Sequence, residues 1–278
     1  MVTRVADDID YSVPGPLTGL ATISRGALER IPDEPVGICR PAHSLVIHPD
    51  EAKSLGLPDD RFAANQIRPV AALIEALLAL DSAPLDIPRS LDRRVIGTCR
   101  HFAVLSCALL RYRGVAARAR CGFATYFQAG QGLDHWITEY WHEQDKRWVR
   151  IDSQILGQSV LAEPEDLRQG EFLTGGEAWR AFREGDIDAA KFGVYGTGNW
   201  GPAEIRGNAI RDLAALNKVE MLPWDKWGRM GASYQGQTGA DYDGLLDTIA
   251  DVCAADDPSA VAELYATDEL GVPQGLIA

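Results

Sequence analysis

Apolar positions fall into a few long runs separated by changes of period. Val70–Leu80 is almost unbroken, interrupted only by Glu75, and predicts a helix with Pro69 at its first position. FAVLSCALLRYR, within Cys99–Arg113, predicts a buried helix closed by Gly114. The period then shortens to two. Val115–Phe123 alternates small or apolar residues with Ala, Arg, Arg and Gly, and predicts a strand. His135–Trp141 and Arg147–Asp152, rich in Trp, Tyr, Ile and Val, predict two more strands flanking a polar turn at Glu143–Lys146.

Beyond residue 160 the helical period returns. Thr174–Glu177 reads as a capping box opening a helix through Phe182. Pro202–Asn217, Tyr242–Ala255 and Ser259–Ala266 predict further helices. Residues 1–62 are rich in Pro and Gly and predict irregular backbone with one short strand near Ser44–His48, and Asp81–Pro88 is a linker. Helix, consecutive strands, then helices predicts an α+β fold, not the βαβ alternation of a parallel sheet. Three regions are expected: an N-terminal extension over 1–62 packing on the core, a core over 63–160, and a helical region over 161–278 in the same globule.

With 278 residues, 46% hydrophobic and 24% charged, the chain has the composition of a folded soluble domain. Neither apolar run reaches the ~18–20 residues of a membrane span. The start, MVTRVADDIDYSVPG, has no apolar stretch of a secretory signal. A cytoplasmic protein without a membrane partner is the expectation. The net charge of −13 argues against nucleic acid as a partner. Charge is uneven: Pro88–Arg150 holds eleven basic against five acidic residues, and Asp241 onward holds nine acidic residues and no Lys or Arg. The basic surplus suggests a small-molecule or peptide substrate bearing negative charge. The sequence carries no sign of oligomeric state.

Five cysteines, Cys39, Cys99, Cys107, Cys121 and Cys253, fit free thiols in a reducing compartment. There is no CxxC pair. Cys39, His43 and His48 include metal-ligating types, but the strand reading of SLVIH competes, and neither metal nor cofactor is expected.

Cys99 stands apart because it opens a helix. Unpaired backbone N–H groups and the helix dipole there favour a thiolate, and Arg100 adds a neighbouring positive charge. A nucleophilic thiol needs a base. His101 points to the far side of the same helix, His43 and His48 lie far upstream, and His142 sits at the turn. His135 opens a strand, and a hairpin turning about Glu143/Gln144 would set Asp152 directly opposite it.

These residues resemble the transglutaminase-like superfamily of cysteine enzymes. The likeness rests on Gly97–Arg118, which follows G-x-C-R-x-x-A-x-L-x-x-A-L-L-R-x-x-G-[IV]-x-A-R, then on His135, Glu139 and Tyr140, then on Trp148 and Asp152. It spans about 60 residues and implies a papain-like core with Cys99 as nucleophile, His135 as base and Asp152 as orienting group. Ile137 stands where a Trp is usual, with Trp136 adjacent, and Ser153 where a Pro is common. The backbone N–H of Cys99 would be one oxyanion donor, and Gln66 or Asn65 are candidates for a second.

Gly196–Gly201 spells GxGxxG before a predicted helix, but no further strands follow to build a dinucleotide-binding half. Its Asn199 and Trp200, together with Trp136, are candidates to line a substrate pocket. The intact Cys, His and Asp favour an enzyme cleaving an amide or acyl bond. An amidotransferase or amide synthase passing the acyl group to an amine is the alternative, and a non-catalytic binding module on this fold comes last.

Overall fold

The computed structural model describes residues 9–267 and 269–277. Element order is helices, consecutive strands, then helices, so the fold is α+β as expected. The chain forms two compact units that interleave in sequence. One comprises 11–119 and 136–167, and the other 1–10, 120–135 and 168–278.

In the first unit, short helices α1 (Arg25–Leu28), α2 (Pro35–Leu45) and α3 (Pro49–Ser54) precede α4 (Val70–Leu80) and α5 (Cys99–Tyr112). A parallel pair, β1 (Val46–Ile47) and β2 (Val95–Ile96), leads the chain towards α5. α5 is buried on nearly all sides and packs against α2 and α4. Phe102, Leu105 and Leu109 of α5 are buried together with Ile38, Leu73 and Leu77. Each such side chain contributes roughly 1.5–3 kcal/mol. Gly114 ends the helix, as its sequence position predicts.

Within the expected N-terminal extension, residues 1–8 lie outside the described residues, and residues 9–62 are more regular than their Pro and Gly content suggests. α2 starts with Pro35 at its N-terminus, where a missing N–H costs nothing, and tolerates Pro41 inside. Burial of Ile38, Cys39, Ala42 and Leu45 outweighs local propensity. The expected strand at 44–48 shrinks to Val46–Ile47, and His48 instead caps α3 by accepting the N–H of Asp50.

Strands β3 (Ala117–Ala124) and β4 (Gly132–His142) are each divided between the units, and β5 (Arg147–Ile151) lies wholly in the first. β4 and β5 pair antiparallel with Thr138 opposite Ile151 and His142 opposite Arg147. The four-residue turn Glu143–Lys146 is the one expected, with Lys146 in the left-handed region at φ 52°. Its centre lies between Gln144 and Asp145. Register is therefore two residues from the one that would make His135 and Asp152 direct partners: Asp152 counts opposite position 137, past the end of the ladder.

In the second unit, β6 (Phe172–Thr174) pairs with β3, and β7 (Phe192–Gly193) runs parallel to β4. The capping box at Thr174 and Glu177 opens α6 (Gly175–Glu184) with reciprocal bonds of 2.7 and 3.2 Å. α7 (Pro202–Leu216), α8 (Met230–Tyr234), α9 (Ala240–Ala254), α10 (Pro258–Tyr265) and α11 (Gln274–Ile277) follow. α6, α7 and α9 pack on one another around Trp179, Leu213 and Leu246. α6 approaches α7 so closely that a Cβ on Gly175 would lie 2.2 Å from the carbonyl oxygen of Asn208. Among the described residues no helix is long and apolar enough to cross a membrane.

Candidate active site

The start of α5 is assembled from two segments of one unit. Thr98 is the N-cap and Cys99 the first helical residue. The N–H of Thr98 donates to Asn65 Oδ1 at 3.2 Å and to His101 Nδ1 at 3.0 Å. His101 thus takes the place that Glu holds in an ordinary capping box. Its Nε2 donates to the Ile67 carbonyl at 3.1 Å, which fixes the tautomer. Burial, helped by the adjacent Arg100 charge, pushes the imidazole down to about 3. With both nitrogens engaged and the ring neutral, His101 cannot serve Cys99 as a base.

Arg100 does not lie as the sequence suggests. Its guanidinium is buried and donates to the carbonyls of Arg68 at 2.8 Å and Ile67 at 3.5 Å. Together Arg100 and His101 pin the end of the turn Asp59–Gln66 beside the helix start. Asn65 is half-buried there, and because its Oδ1 accepts from Thr98, its Nδ2 is the donor face that remains. Gln66 is exposed.

Cys99 is a free thiol, 7% exposed. Cys39, Cys107 and Cys121 are fully sealed. Burial and the neighbouring Cys107 push the Cys39 thiol up, so it holds its proton. The Cys39, His43 and His48 trio is divided among separate duties. His43 Nδ1 lies 2.8 Å from the Gln154 carbonyl, and His48 caps α3. The described residues contain no group of His, Cys, Asp and Glu suited to a metal ion.

Asp152 is the first residue past β5 and is buried. Its N–H donates to the Pro164 carbonyl at 2.8 Å, and its Oδ1 accepts the Gln154 N–H at 2.9 Å. This turn holds the carboxylate against the backbone just past the strand. His142 faces Asp145 at the polar hairpin tip, with 3.1 Å between Nδ1 and Oδ2.

His135 is buried on β4, in the second unit. Two half-buried rings present edges to its imidazole: Phe127 at 5.0 Å between centroids and Tyr126 at 6.3 Å. They shield the ring from water on that side. Sequence reasoning passed them over, although two adjacent aromatics directly after a strand, in a stretch of small and polar residues, are a readable signal.

The substrate-pocket candidates are placed differently from one another. Trp136 is buried in the interior of the first unit. Asn199 is exposed. Trp200 lies over Gly193, where a Cβ would approach its ring to 2.5 Å, and its Nε1 donates to the Thr197 carbonyl at 3.1 Å. It serves as a strut of its own loop. Much of the basic surplus is interior too. Arg89, Arg100, Arg111, Arg118 and Arg120 are all buried.

Residues 79–153 match the family model of the transglutaminase-like superfamily. That segment contains Cys99, His135 and Asp152, and the resemblance read from the sequence is borne out for it. The match supports a thiol enzyme in general terms. A solved structure described as "a Putative Cysteine Protease from Cytophaga hutchinsonii" is similar at 17% identity and a TM-score of 0.35. The alignment covers 55% of this chain and 44% of that one, so this chain spans less than half of its length. No curated protein matches the chain significantly.

Proposed function

We propose that the protein opens an amide or acyl bond of a specific substrate through an acyl-enzyme on Cys99. The observation that carries this reading is the first turn of α5, where a free thiol, the helix N-terminus and the amide of Asn65 gather. In this reading His135 takes the thiol proton as Cys99 sulfur attacks the substrate carbonyl carbon. The tetrahedral oxyanion is met by the Cys99 N–H and Asn65 Nδ2. Collapse expels the amine or alcohol, which leaves with the proton from His135. Water then attacks the thioester with His135 again as base, releasing the acid and the free thiol. Asp152 orients the imidazole and stabilises its cation. Tyr126 and Phe127 keep bulk water from the ring.

Intact-protein mass spectrometry with a panel of p-nitrophenyl esters and coumarin amides tests this. The expected result is an acyl adduct on Cys99 that is absent from Cys99→Ser. An adduct on another cysteine, or none on any member, overturns it. Release of the adduct by added primary amines faster than by water would favour acyl transfer over hydrolysis. Iodoacetamide at neutral pH should also modify Cys99 ahead of Cys107 and Cys121.

A further inference from the structure

The unit that carries His135 also encloses a chain of polar side chains that this chemistry does not use. Asp134 precedes His135 on β4 and is partly buried. Its Oδ2 accepts from Asn208 Nδ2 at 2.9 Å. Asn208, fully buried on α7, also donates to the Gly122 carbonyl at 3.1 Å. Its Oδ1 accepts from Arg211 Nη1 at 3.0 Å and from the Cys121 thiol at 3.4 Å. All four hydrogen-bonding positions of that amide are filled, so its orientation is over-determined. The chain continues through Arg211 Nη1 to Tyr234 OH at 3.2 Å, and from Tyr234 OH to Glu204 Oε2 at 2.8 Å.

We propose that Asp134 is a positioning residue for His135: through Asn208 it ties the strand beside the imidazole to α7, and its negative charge favours the imidazolium that forms when Cys99 gives up its proton. The proposal rests on His135 being the base. Charged and titratable groups facing Asp134 within the unit are few. Arg211 on α7 and His135 on β4 attract its charge, while Glu204 on α7 repels it. Lys226 acts on Glu204 and lies over the Tyr234 ring at 3.9 Å. Asp212 is neutralised by Arg120 in a two-pronged pair at 2.9 and 2.7 Å.

Stability alone does not account for a carboxylate here. Burial holds the Asp134 carboxyl above the usual range, despite Arg211 and Asn208. A carboxyl raised in the folded state gives stability that is greatest at low pH and is lost as pH rises through the folded value. At neutral pH the charge therefore costs stability, and an amide accepting from Asn208 would serve the fold better.

The test is a proton NMR titration of the His135 ring in the full-length protein, assigned with His135→Gln, alongside thermal melts. Asp134→Asn keeps an oxygen for Asn208 and removes the charge. The expected result is a lower His135 midpoint with a melting temperature equal to or above wild type. An unchanged midpoint, or a melt well below wild type, overturns the proposal. Asp134→Glu should restore the midpoint towards the wild-type value. Without any variant, the wild-type His135 resonance should carry a second inflection as Asp134 takes up its proton, and its absence also overturns the proposal. None of these readouts requires turnover, so failure of the acyl-enzyme reading would be seen separately, in the mass spectra.

Discussion

Strand β4 places one carboxylate in each unit, and the two are held by opposite chemistry. Glu139, buried in the first unit, accepts from Arg118 Nε at 2.6 Å and Arg150 Nε at 3.0 Å. Arg118 is itself clamped over the Trp148 ring at 4.0 Å and near Tyr11 at 5.6 Å. Asp134, in the second unit, is held by an amide and shares Arg211 with Glu204. Where cations outnumber the anion, the group serves as a rivet. Where anions outnumber the buried cation, a proton stays exchangeable and the group can answer to its surroundings. A buried carboxylate is thus read by its partners as much as by its depth.

Asp152 sharpens this contrast and gives the largest expected effect. It is buried like Glu139, yet its carboxylate caps a backbone N–H that an amide oxygen would cap equally well. Asp152→Asn is expected to keep the melting temperature nearly unchanged while turnover falls by about four orders of magnitude, as when the orienting carboxylate of a triad is neutralised. Full turnover in the variant, or unfolding, would remove Asp152 from the chemistry and make it a second rivet.

Glu139→Ala should break the first unit's arrangement. It takes the carboxylate away from one buried and one half-buried guanidinium, and the expected loss is about 3–5 kcal/mol in urea unfolding. A loss below about 1 kcal/mol, the scale of a surface pair, would mean that the arginines relax to solvent and the contrast fails.

Glu204→Gln should show the smallest effect, and of opposite sign. Burial raises the Glu204 carboxyl above its ordinary range. Its charge therefore costs stability that grows as pH rises through the folded value. The variant should melt with wild type at pH 4 and slightly above it at pH 7, since Gln can still accept from Tyr234. A melt below wild type at pH 7 would place Glu204 with Glu139 instead.

The elements with a strong period were legible from sequence. α4 matches its expected bounds, and α5, α7, α9, α10 and the three strands fall within a few residues of theirs. What escaped depended on contacts between distant residues. α2 contains Pro35, Gly37 and Pro41, which locally signal a break, and forms because its apolar face packs on α5. β6 and β7 are too short to show alternation. At the candidate site, the thiol at a helix start was readable from Gly97, Cys99 and Gly114. The use of His101 as a cap and of Arg100 as a backbone clamp was not, because both depend on the carbonyls of residues 67 and 68 arriving from another segment. The charge count over Pro88–Arg150 could not show which of its arginines are interior, for the same reason. A sum over a segment cannot tell an arginine on the surface from one holding the interior.

The distribution of thiols gives the molecule built-in reporters of its own breathing. Cys39 on α2, Cys107 on α5 and Cys121 on β3 are wholly sealed, and Cys253 on α9 nearly so. Each becomes reachable only when the elements around it part, so the order in which reagents find them ranks the local openings of the two units. The same arrangement makes oxidation self-limiting while the fold is closed: damage to Cys39, Cys107 and Cys121 records time spent open.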